Sequence, residues 1–366
     1  MLARGARRRT APWPAVGCVL TSASGEIVGE AATGSYPAGP HAEVGALLAA
    51  GDRARGATAY CTLEPCNHVG NTLACTEALI AAGVARVVVA LGDPDERVAG
   101  RGFARLREAG VEVLTGVDAA AAGHDLAPYL HHRRTGRAFV VAKVALSLDG
   151  RVAAADGSSK WITSPEARAG THELRADSQA VVVGAGTARA DRPALTVRGV
   201  DDAPARSPLR VLLDGRGRVA PVGPLFDPEL GPTLVITTEY ADARAVDAWQ
   251  AAGAKVEAIA PGPHGRGVDL DGAFAVLGRE GVLQALVEGG GTLLGALIEG
   301  EHVQRLVAYV APLLLGTKGA PGFAYDGPSS IGTAERWDLV DVQRVGPDVR
   351  LELEPGKPEP AKGAGG

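Results

Sequence analysis

The sequence predicts an α/β protein of two domains. Its 366 residues exceed what one typical hydrophobic core organises. Short apolar runs alternate with stretches of helical spacing, which is typical of β-α-β units. A helical, His- and Arg-rich segment interrupts this alternation over residues 118–137. We therefore predict a first domain over 1–123, a linker over 124–137, a second domain over 138–355 and a disordered, Pro/Gly/Lys-rich tail over 356–366.

In the first domain, turn residues between two apolar runs predict a strand pair, and strand and helix patterns alternate after it. The predicted strands are Val16–Leu20, Glu26–Gly29, Thr58–Leu63, Ala85–Leu91 and Val111–Thr115. The predicted helices are His41–Ala50, Cys75–Ala82 and Gly102–Ala109. This alternation predicts a three-layer α/β domain.

The second domain shows the same alternation over a longer stretch. Its predicted strands are Phe139–Leu146, Ala180–Gly184, Leu209–Asp214, Thr233–Thr238, Lys255–Ile259, Ala285–Glu288 and Arg305–Val310. Its predicted helices are Glu166–Ala176, Tyr240–Ala252 and Gly291–Glu299.

Composition narrows the classes of function. Hydrophobic residues make up 46% of the chain and charged residues 22%, which is typical of a globular protein. The net charge of −5 argues against a nucleic-acid-binding surface. The longest apolar runs are too short to span a membrane, and the basic N-terminus lacks the apolar region of a signal peptide. We therefore expect a cytoplasmic protein without nucleic-acid or membrane partners.

The cysteines and one H-A-E sequence predict a metal site. All four cysteines lie in the first fifth of the chain, which in the cytosol favours metal chemistry over disulfides. His41 and Glu43 open a predicted helix, and Cys66 and Cys75 flank the start of the next one. A zinc deaminase needs three protein ligands, an open position for water and a carboxylate that is not a ligand. His41, Cys66 and Cys75 fit the ligands, and Glu43 fits the catalytic carboxylate.

Other interpretations of these residues remain open. A structural zinc site would need a fourth ligand, which His68 could supply, although a place in the substrate pocket suits His68 better. The three residues could also be unrelated buried side chains. Cys18 and Cys61 fall within predicted strands, and we expect both to be small buried hydrophobic residues.

Four segments of the second domain carry a separate signal. The first three run over residues 143–151 (K-V-A-L-S-L-D-G-R), 158–164 (S-S-K-W-I-T-S) and 184–198. The fourth, V-E-G-G-G-T-L-L over residues 287–294, joins a predicted strand to a helix. Glycines at such a turn let backbone amides approach a phosphate, although the spacing is not that of a Rossmann dinucleotide site and an ordinary tight turn is an equal alternative.

Together these motifs resemble the bifunctional deaminase/reductase of riboflavin biosynthesis. The long spacing P-C-x-H-x-G-x-T-x-x-C over residues 65–75 is similar to that family, and the second-domain segments follow its reductase in order. The resemblance implies a cytidine-deaminase-like first domain, a dihydrofolate-reductase-like second domain, Zn²⁺ and NADPH as cofactors, and a homo-oligomer.

The resemblance also implies residue roles in the second domain. The residues implied to contact NADPH are Ala145, Trp161, Thr187, Asp191, Gly290, Gly291, Thr292, Leu293, Leu294 and Gly295. The residues implied to contact the substrate are Asp149, Ser159, Arg175, Leu195, Arg198 and Glu288. Without the resemblance, Arg175 would be interpreted as a solvated helix residue and Trp161 as a core aromatic residue.

The implied substrate is 2,5-diamino-6-ribosylamino-4(3H)-pyrimidinone 5′-phosphate, which is deaminated and then reduced from ribosyl to ribityl. Two alternatives remain. Trp13 occupies the position of an Asn that contacts the substrate in the family, so the chain could be a reductase with a weakened or retargeted deaminase. The first domain could also be a non-catalytic or RNA-binding deaminase-like module, which the acidic net charge disfavours.

Overall fold

The computed structural model describes residues 1–68, 73–204 and 206–356, and the chain divides into two compact units. The first unit comprises Met1–Ala138 together with Gly278–Leu283, and the second comprises Phe139–Leu277 together with the chain from Gln284 onward. Nearly all of the predicted disordered tail, residues 357–366, lies outside the described residues. Within the described part, no helix combines the length and the apolar character needed to cross a membrane.

The first unit is built on a five-stranded sheet. Its strands are β1 (Gly17–Thr21), β2 (Ile27–Ala32), β3 (Thr58–Leu63), β4 (Arg86–Leu91) and β5 (Glu112–Thr115). Its helices are α1 (Leu2–Thr10), α2 (Ala42–Ala50), α3 (Cys75–Ala81), α4 (Arg101–Glu108) and α5 (Ala119–Thr135). The sheet order is β2-β1-β3-β4-β5; β1 is antiparallel to β2 and β3, whereas β3, β4 and β5 are parallel. The predicted strands and helices of this region are confirmed.

Two helices of the first unit, α1 and α5, differ from what the sequence predicts. The sequence does not indicate α1, because arginines occupy positions 7–9 and only small residues, Ala3 and Ala6, form its buried apolar side. The helical character predicted for residues 118–137 is confirmed by α5, and the segment 124–137 assigned to a linker lies largely within this helix. Leu126 and Tyr129 of α5 belong to the apolar core of the first unit.

The second unit is built on a nine-stranded sheet. The eleven strands of the unit, of which β7 and β14 lie outside this sheet, are β6 (Phe139–Ser147), β7 (Arg151–Ala153), β8 (Ala180–Gly184), β9 (Leu209–Leu213), β10 (Thr233–Thr237), β11 (Lys255–Ala258), β12 (Gln284–Val287), β13 (Arg305–Ala311), β14 (Ala320–Pro321), β15 (Trp337–Val345) and β16 (Asp348–Pro355). Its helices are α6 (Pro165–Ala176), α7 (Ala185–Asp191), α8 (Ala243–Ala251), α9 (Leu270–Arg279) and α10 (Gly291–Glu299). The large sheet has the order β11-β10-β9-β8-β12-β6-β13-β16-β15, and β7 pairs separately with β14.

All seven strands predicted for the second domain are present, but the sequence does not predict β7, β14, β15, β16, α7 or α9. The predicted helix at Tyr240–Ala252 begins later than expected, because the Asp242 carboxylate accepts the Arg244 N–H and caps α8 at that point.

The strand order sets the position of a crevice. The chain forms β6, leaves one strand position open, continues outward from β8 to β11 and then inserts β12 between β8 and β6. β12 is parallel to both neighbours, so the carboxyl ends of three adjacent strands meet at one edge. In open α/β sheets, ligands bind at such a reversal of strand order.

Candidate functional sites

Three residues of the first unit bring metal-binding atoms together. The ligand atoms of His41, Cys66 and Cys75 all lie within 4.8 Å of one another. His41 Nδ1 lies 3.6 Å from Cys66 Sγ and 3.2 Å from Cys75 Sγ. Ligand atoms around a tetrahedral zinc with bonds of about 2.0–2.3 Å would be roughly 3.6 Å apart. One imidazole and two thiols at these distances fit zinc and leave a fourth position for water.

Local structure explains why these three residues meet. His41 is the N-cap residue of α2 and Cys75 is the first residue of α3, whereas Cys66 lies in the loop that follows β3. The Cys75 N–H points at Cys66 Sγ, 3.4 Å away, and the Thr76 N–H donates to the Cys66 carbonyl at 3.2 Å. The start of α3 therefore holds the loop that carries Cys66.

The electrostatics of the cluster favour a thiolate on Cys66. Hydrogen bonds from Cys75 and His41 lower the pKa of Cys66 to about 4 despite its burial. The hydrogen bond to Cys66 also raises the pKa of His41, whereas the hydrogen bond to Cys66 and burial raise the pKa of the Cys75 thiol. An ionised sulfur in a cluster of this composition is ready to bind a metal cation.

Glu43 lies in the first turn of α2, two residues after His41, and is only 4% exposed. Burial raises the pKa of Glu43 to about 7. A carboxyl group with this pKa can both accept and donate a proton near neutral pH. Its position and burial fit the non-ligand carboxylate that the sequence predicts.

Glu64 is a buried residue of this site whose role the sequence analysis missed. Its carboxylate accepts four backbone N–H groups, from Asp93 and Gly100 at Oε2 and from Gly102 and Phe103 at Oε1. These bonds tie the segment before Cys66 to the loop after β4 and to the first turn of α4. A charged residue at the end of a buried strand, directly before Pro65, is the signal that could have found it.

The remaining motif residues of the first unit are placed as follows. Cys18 and Cys61 face each other across β1 and β3 with their sulfurs 3.7 Å apart, and both are buried in the apolar core, as predicted. Asn67 accepts the Thr76 hydroxyl at 2.9 Å. His68 has a buried Nδ1 for which the described residues provide no hydrogen-bond partner. Motif positions 69–72 lie outside the described residues.

In the second unit, an ion pair lies at the carboxyl end of β12, beside β6 and β8. The Arg175 guanidinium, at the end of α6, donates to both carboxylate oxygens of Glu288 at 2.5 and 2.9 Å and to the Thr196 carbonyl at 2.9 Å. Burial alone would raise the pKa of Glu288, but the Arg175 charge holds it below its usual value. The structure thus brings together Arg175, Glu288 and the segment 195–198.

Lys143 of β6 also lies near Arg175 and Glu288, and it was not among the predicted site residues. Burial lowers its pKa, and the nearby charge of Glu288 opposes that effect. The sequence feature that could have identified Lys143 is a single charged residue inside a buried strand, at the start of the K-V-A-L-S-L-D-G-R segment.

The glycine turn after β12 lies against the start of α7, the helix that directly follows β8. The Gly290 N–H donates to the Thr187 hydroxyl at 3.1 Å, and Gly290 is the N-cap residue of α10. A side chain at Gly291 or Gly295 would collide with the backbone of the segment 321–324. The six consecutive predicted cofactor positions Gly290–Gly295 therefore form the N-terminal end of α10, and Gly290 joins this end to Thr187.

The other predicted residues of this unit have less direct relations to the cluster. Asp149 accepts the Ser147 hydroxyl and the N–H groups of residues 315 and 316, so its carboxylate holds a loop. Leu195 is buried, Ala145 lies on β6, and Trp161 is exposed beneath the Arg168 guanidinium, 4.4 Å from its ring centroid. Within the described residues, no side-chain hydrogen bond or ion pair links the set Ser159, Asp191 and Arg198 to this cluster.

Comparisons with known proteins match both units. The family of cytidine and deoxycytidylate deaminase zinc-binding regions matches residues 1–91, and the RibD C-terminal domain family matches residues 138–351. The chain is 40% identical to riboflavin biosynthesis protein RibD of Escherichia coli over 363 residues, or 96% of each protein. It is 41% identical to RibD of Mycobacterium tuberculosis H37Rv, covering 94% of this chain and 91% of that protein.

Two solved structures extend this similarity to the fold. RibD of Acinetobacter baumannii is 37% identical with a TM-score of 0.85, and the match covers 97% of this chain and 96% of that one. A protein of Thermotoga maritima, described as a diaminohydroxyphosphoribosylaminopyrimidine deaminase and 5-amino-6-(5-phosphoribosylamino)uracil reductase, is 30% identical with a TM-score of 0.82 and the same coverage.

Proposed function

Because the chain belongs to the RibD family of riboflavin biosynthesis proteins, we propose which residues carry out its two reactions and on which substrate. It is a bifunctional enzyme with a zinc-dependent deaminase in its cytidine-deaminase-like first unit and an NADPH-dependent reductase in its dihydrofolate-reductase-like second unit. The proposed substrate is 2,5-diamino-6-ribosylamino-4(3H)-pyrimidinone 5′-phosphate. Its deaminated product is then reduced from ribosyl to ribityl.

In the proposed deaminase site, His41, Cys66 and Cys75 hold the zinc ion. Zinc held there would lower the pKa of a water molecule enough for it to lose a proton near neutral pH and attack the pyrimidine carbon that carries the amino group. Glu43 accepts the proton at its carboxylate and passes it to the departing amine, and a pKa of about 7 suits both steps. The observation that carries this proposal is the His41, Cys66 and Cys75 cluster beside a buried Glu43.

In the proposed reductase site, bound NADPH would supply a hydride to the ribosyl C1′, where the ring C–O bond breaks and the ring oxygen takes up a proton. The residues proposed to bind NADPH are Ala145, Trp161, Thr187, Asp191 and Gly290–Gly295. The residues proposed to bind the substrate are Asp149, Ser159, Arg175, Leu195, Arg198 and Glu288. A guanidinium has five N–H donors, and Arg175 uses three of them within the protein. We therefore assign Arg175 mainly to orienting Glu288 and the exposed Arg198 to the substrate phosphate.

The enzyme is further proposed to act in the cytoplasm as a homo-oligomer that binds no nucleic acid. The net charge of −5 supports the absence of a nucleic-acid partner. The edge strand β15 supports self-association, because Leu339, Val340 and Val342 are 58%, 42% and 52% exposed on it. Light scattering of the wild type and of Val342→Lys, each eluted from a gel-filtration column, tests this self-association. A monomeric wild type contradicts it.

The decisive experiment compares the wild type with Glu43→Gln. Both proteins should contain about one zinc per chain, and the variant should release no ammonia from the diaminopyrimidine phosphate. NADPH oxidation with the deaminated compound should be unchanged, which controls for folding of the second unit. Absence of stoichiometric zinc from unoxidised wild type, or ammonia release by Cys66→Ser, would contradict the deaminase assignment. If the wild type reduces the deaminated compound but releases no ammonia, only the reductase assignment stands.

A further inference from the structure

Two aromatic side chains border the proposed zinc ligands. The ring centroid of Trp13 lies 5.7 Å from that of His41, with the ring planes at 69°. Tyr36 packs edge-on against Trp13, with the centroids 5.0 Å apart and the planes at 86°. Since His41 points its Nδ1 at the two cysteine sulfurs, Trp13 lies against the ring of a proposed zinc ligand.

The backbone fixes these aromatic residues. The Trp13 N–H donates to the Thr10 carbonyl at 2.8 Å, and the Tyr36 N–H donates to the Arg9 carbonyl at 2.9 Å. Both loops are therefore anchored to the last turn of α1. The loop that carries Tyr36 is closed by hydrogen bonds within residues 34–40 and leads directly into His41. The position of Trp13 relative to His41 is thus built into the local fold.

Trp13 has surface and hydrogen-bonding capacity left for a ligand. Trp249 shows the contrasting case: it is fully buried, and its indole N–H donates to the Val219 carbonyl at 2.8 Å. Trp13 is only half-buried, and within the described residues no acceptor takes its indole N–H. A tryptophan used only for packing normally buries its ring and satisfies this donor.

We propose that Trp13 is a specificity-determining residue of the deaminase site, whose indole ring packs against the pyrimidine ring of the substrate. This inference rests on the proposed function of the first unit. Every heterocyclic base presents a flat π-face, so an aromatic contact selects a planar ring in the correct position above the zinc ligands.

The test uses zinc-loaded, full-length protein carrying Glu43→Gln, which binds the diaminopyrimidine phosphate without turnover. Substrate should quench tryptophan emission, and the part contributed by Trp13 should disappear when Trp13→Phe is added. Trp13→Ala should weaken binding about 5- to 150-fold, which is the range for truncating an aromatic residue that stacks on a base. In the Glu43 background, Trp13→Phe should retain most of the affinity because it keeps an aromatic ring.

Steady-state kinetics give the second measurement. In the active enzyme, Trp13→Ala should raise KM more than it lowers kcat, with unchanged zinc content. Tyr60→Ala is a matched control, because Tyr60 is a 45% exposed aromatic residue of the same unit. The proposal is overturned if Trp13→Ala leaves affinity and KM within about twofold of wild type, or if Trp13→Asn exceeds wild-type kcat/KM. Quenching of Trp13 without ammonia release from wild type would instead contradict the proposed function alone.

Discussion

Replacing Glu64 by Gln perturbs a buried carboxylate that accepts four backbone N–H groups. Two of these bonds, at 3.2 and 3.0 Å, end on Oε2, and the other two, at 3.0 and 3.3 Å, end on Oε1. Gln keeps one carbonyl oxygen and turns an NH₂ group toward the other two donors. Each hydrogen bond to a charged group contributes about 1.5–3 kcal/mol. Loss of two therefore lowers the free energy of unfolding of the first unit by about 3–6 kcal/mol.

Thermal release of zinc to a chromophoric chelator measures this effect, because only the first unit holds the proposed zinc ligands. The release midpoint should fall by roughly 10 °C or more in Glu64→Gln. Glu77→Gln is the matched control. It breaks an ion pair with Arg105 whose side chains are 37% and 36% exposed, so solvent screens the loss and the midpoint should shift little. A Glu64→Gln midpoint within about 2 °C of wild type would refute this account of the four bonds.

Three further predictions concern the second unit. Arg210 is 1% exposed and donates to four backbone carbonyls, so Arg210→Met should destabilise this unit by about 3 kcal/mol or more, measured by calorimetry; an unchanged unfolding temperature would contradict this. Arg175→Met should lower the free energy of unfolding of this unit by about 3–5 kcal/mol at pH 7, since it leaves the ionised Glu288 buried without its partner. This loss of stability should shrink as the pH falls toward 4, because Glu288 in the variant takes up a proton. A loss that does not depend on pH would contradict the assignment of the effect to the unpaired Glu288 charge. Arg168→Ala should raise KM for NADPH about 2- to 5-fold by freeing Trp161 from its cation–π contact, with kcat little changed; an unchanged KM would count against a role for Trp161 in cofactor binding.

Local patterns predicted much of the fold, and the main exception has a physical cause. In the hairpin of β15 and β16, the buried positions carry charge: Asp348 is 1% and Glu352 is 9% exposed. Arg350 and Arg305 neutralise Glu352 at 2.5 and 3.2 Å. The apolar Val349, by contrast, is 39% exposed. A pattern with its polar side inward contradicts the usual rule for a half-buried strand, so hydrophobic alternation does not reveal it.

The site residues also differ in whether a local sequence pattern can reveal them. Metal chemistry allows few residue types, so His41, Cys66 and Cys75 could be predicted from identity and spacing alone. Glu64 acts on backbone groups about 30 to 40 positions away, and no local pattern specifies that pairing. Arg175 shows a third situation: the family resemblance indicated its region, but only the tertiary structure shows that Glu288 and the Thr196 carbonyl already occupy three of its five N–H donors.

The short segment Gly278–Leu283 affects how the first unit can be made. It lies far along the chain, yet Leu283 is part of the core of the first unit, and the Gly278 carbonyl lies 3.0 Å from His132 Nε2. A ribosome that adds about 5–20 residues per second therefore needs on the order of ten seconds after residue 138 before it delivers Leu283. During that interval the nascent first unit lacks a core side chain, and a gene fragment that stops near residue 138 makes this gap permanent.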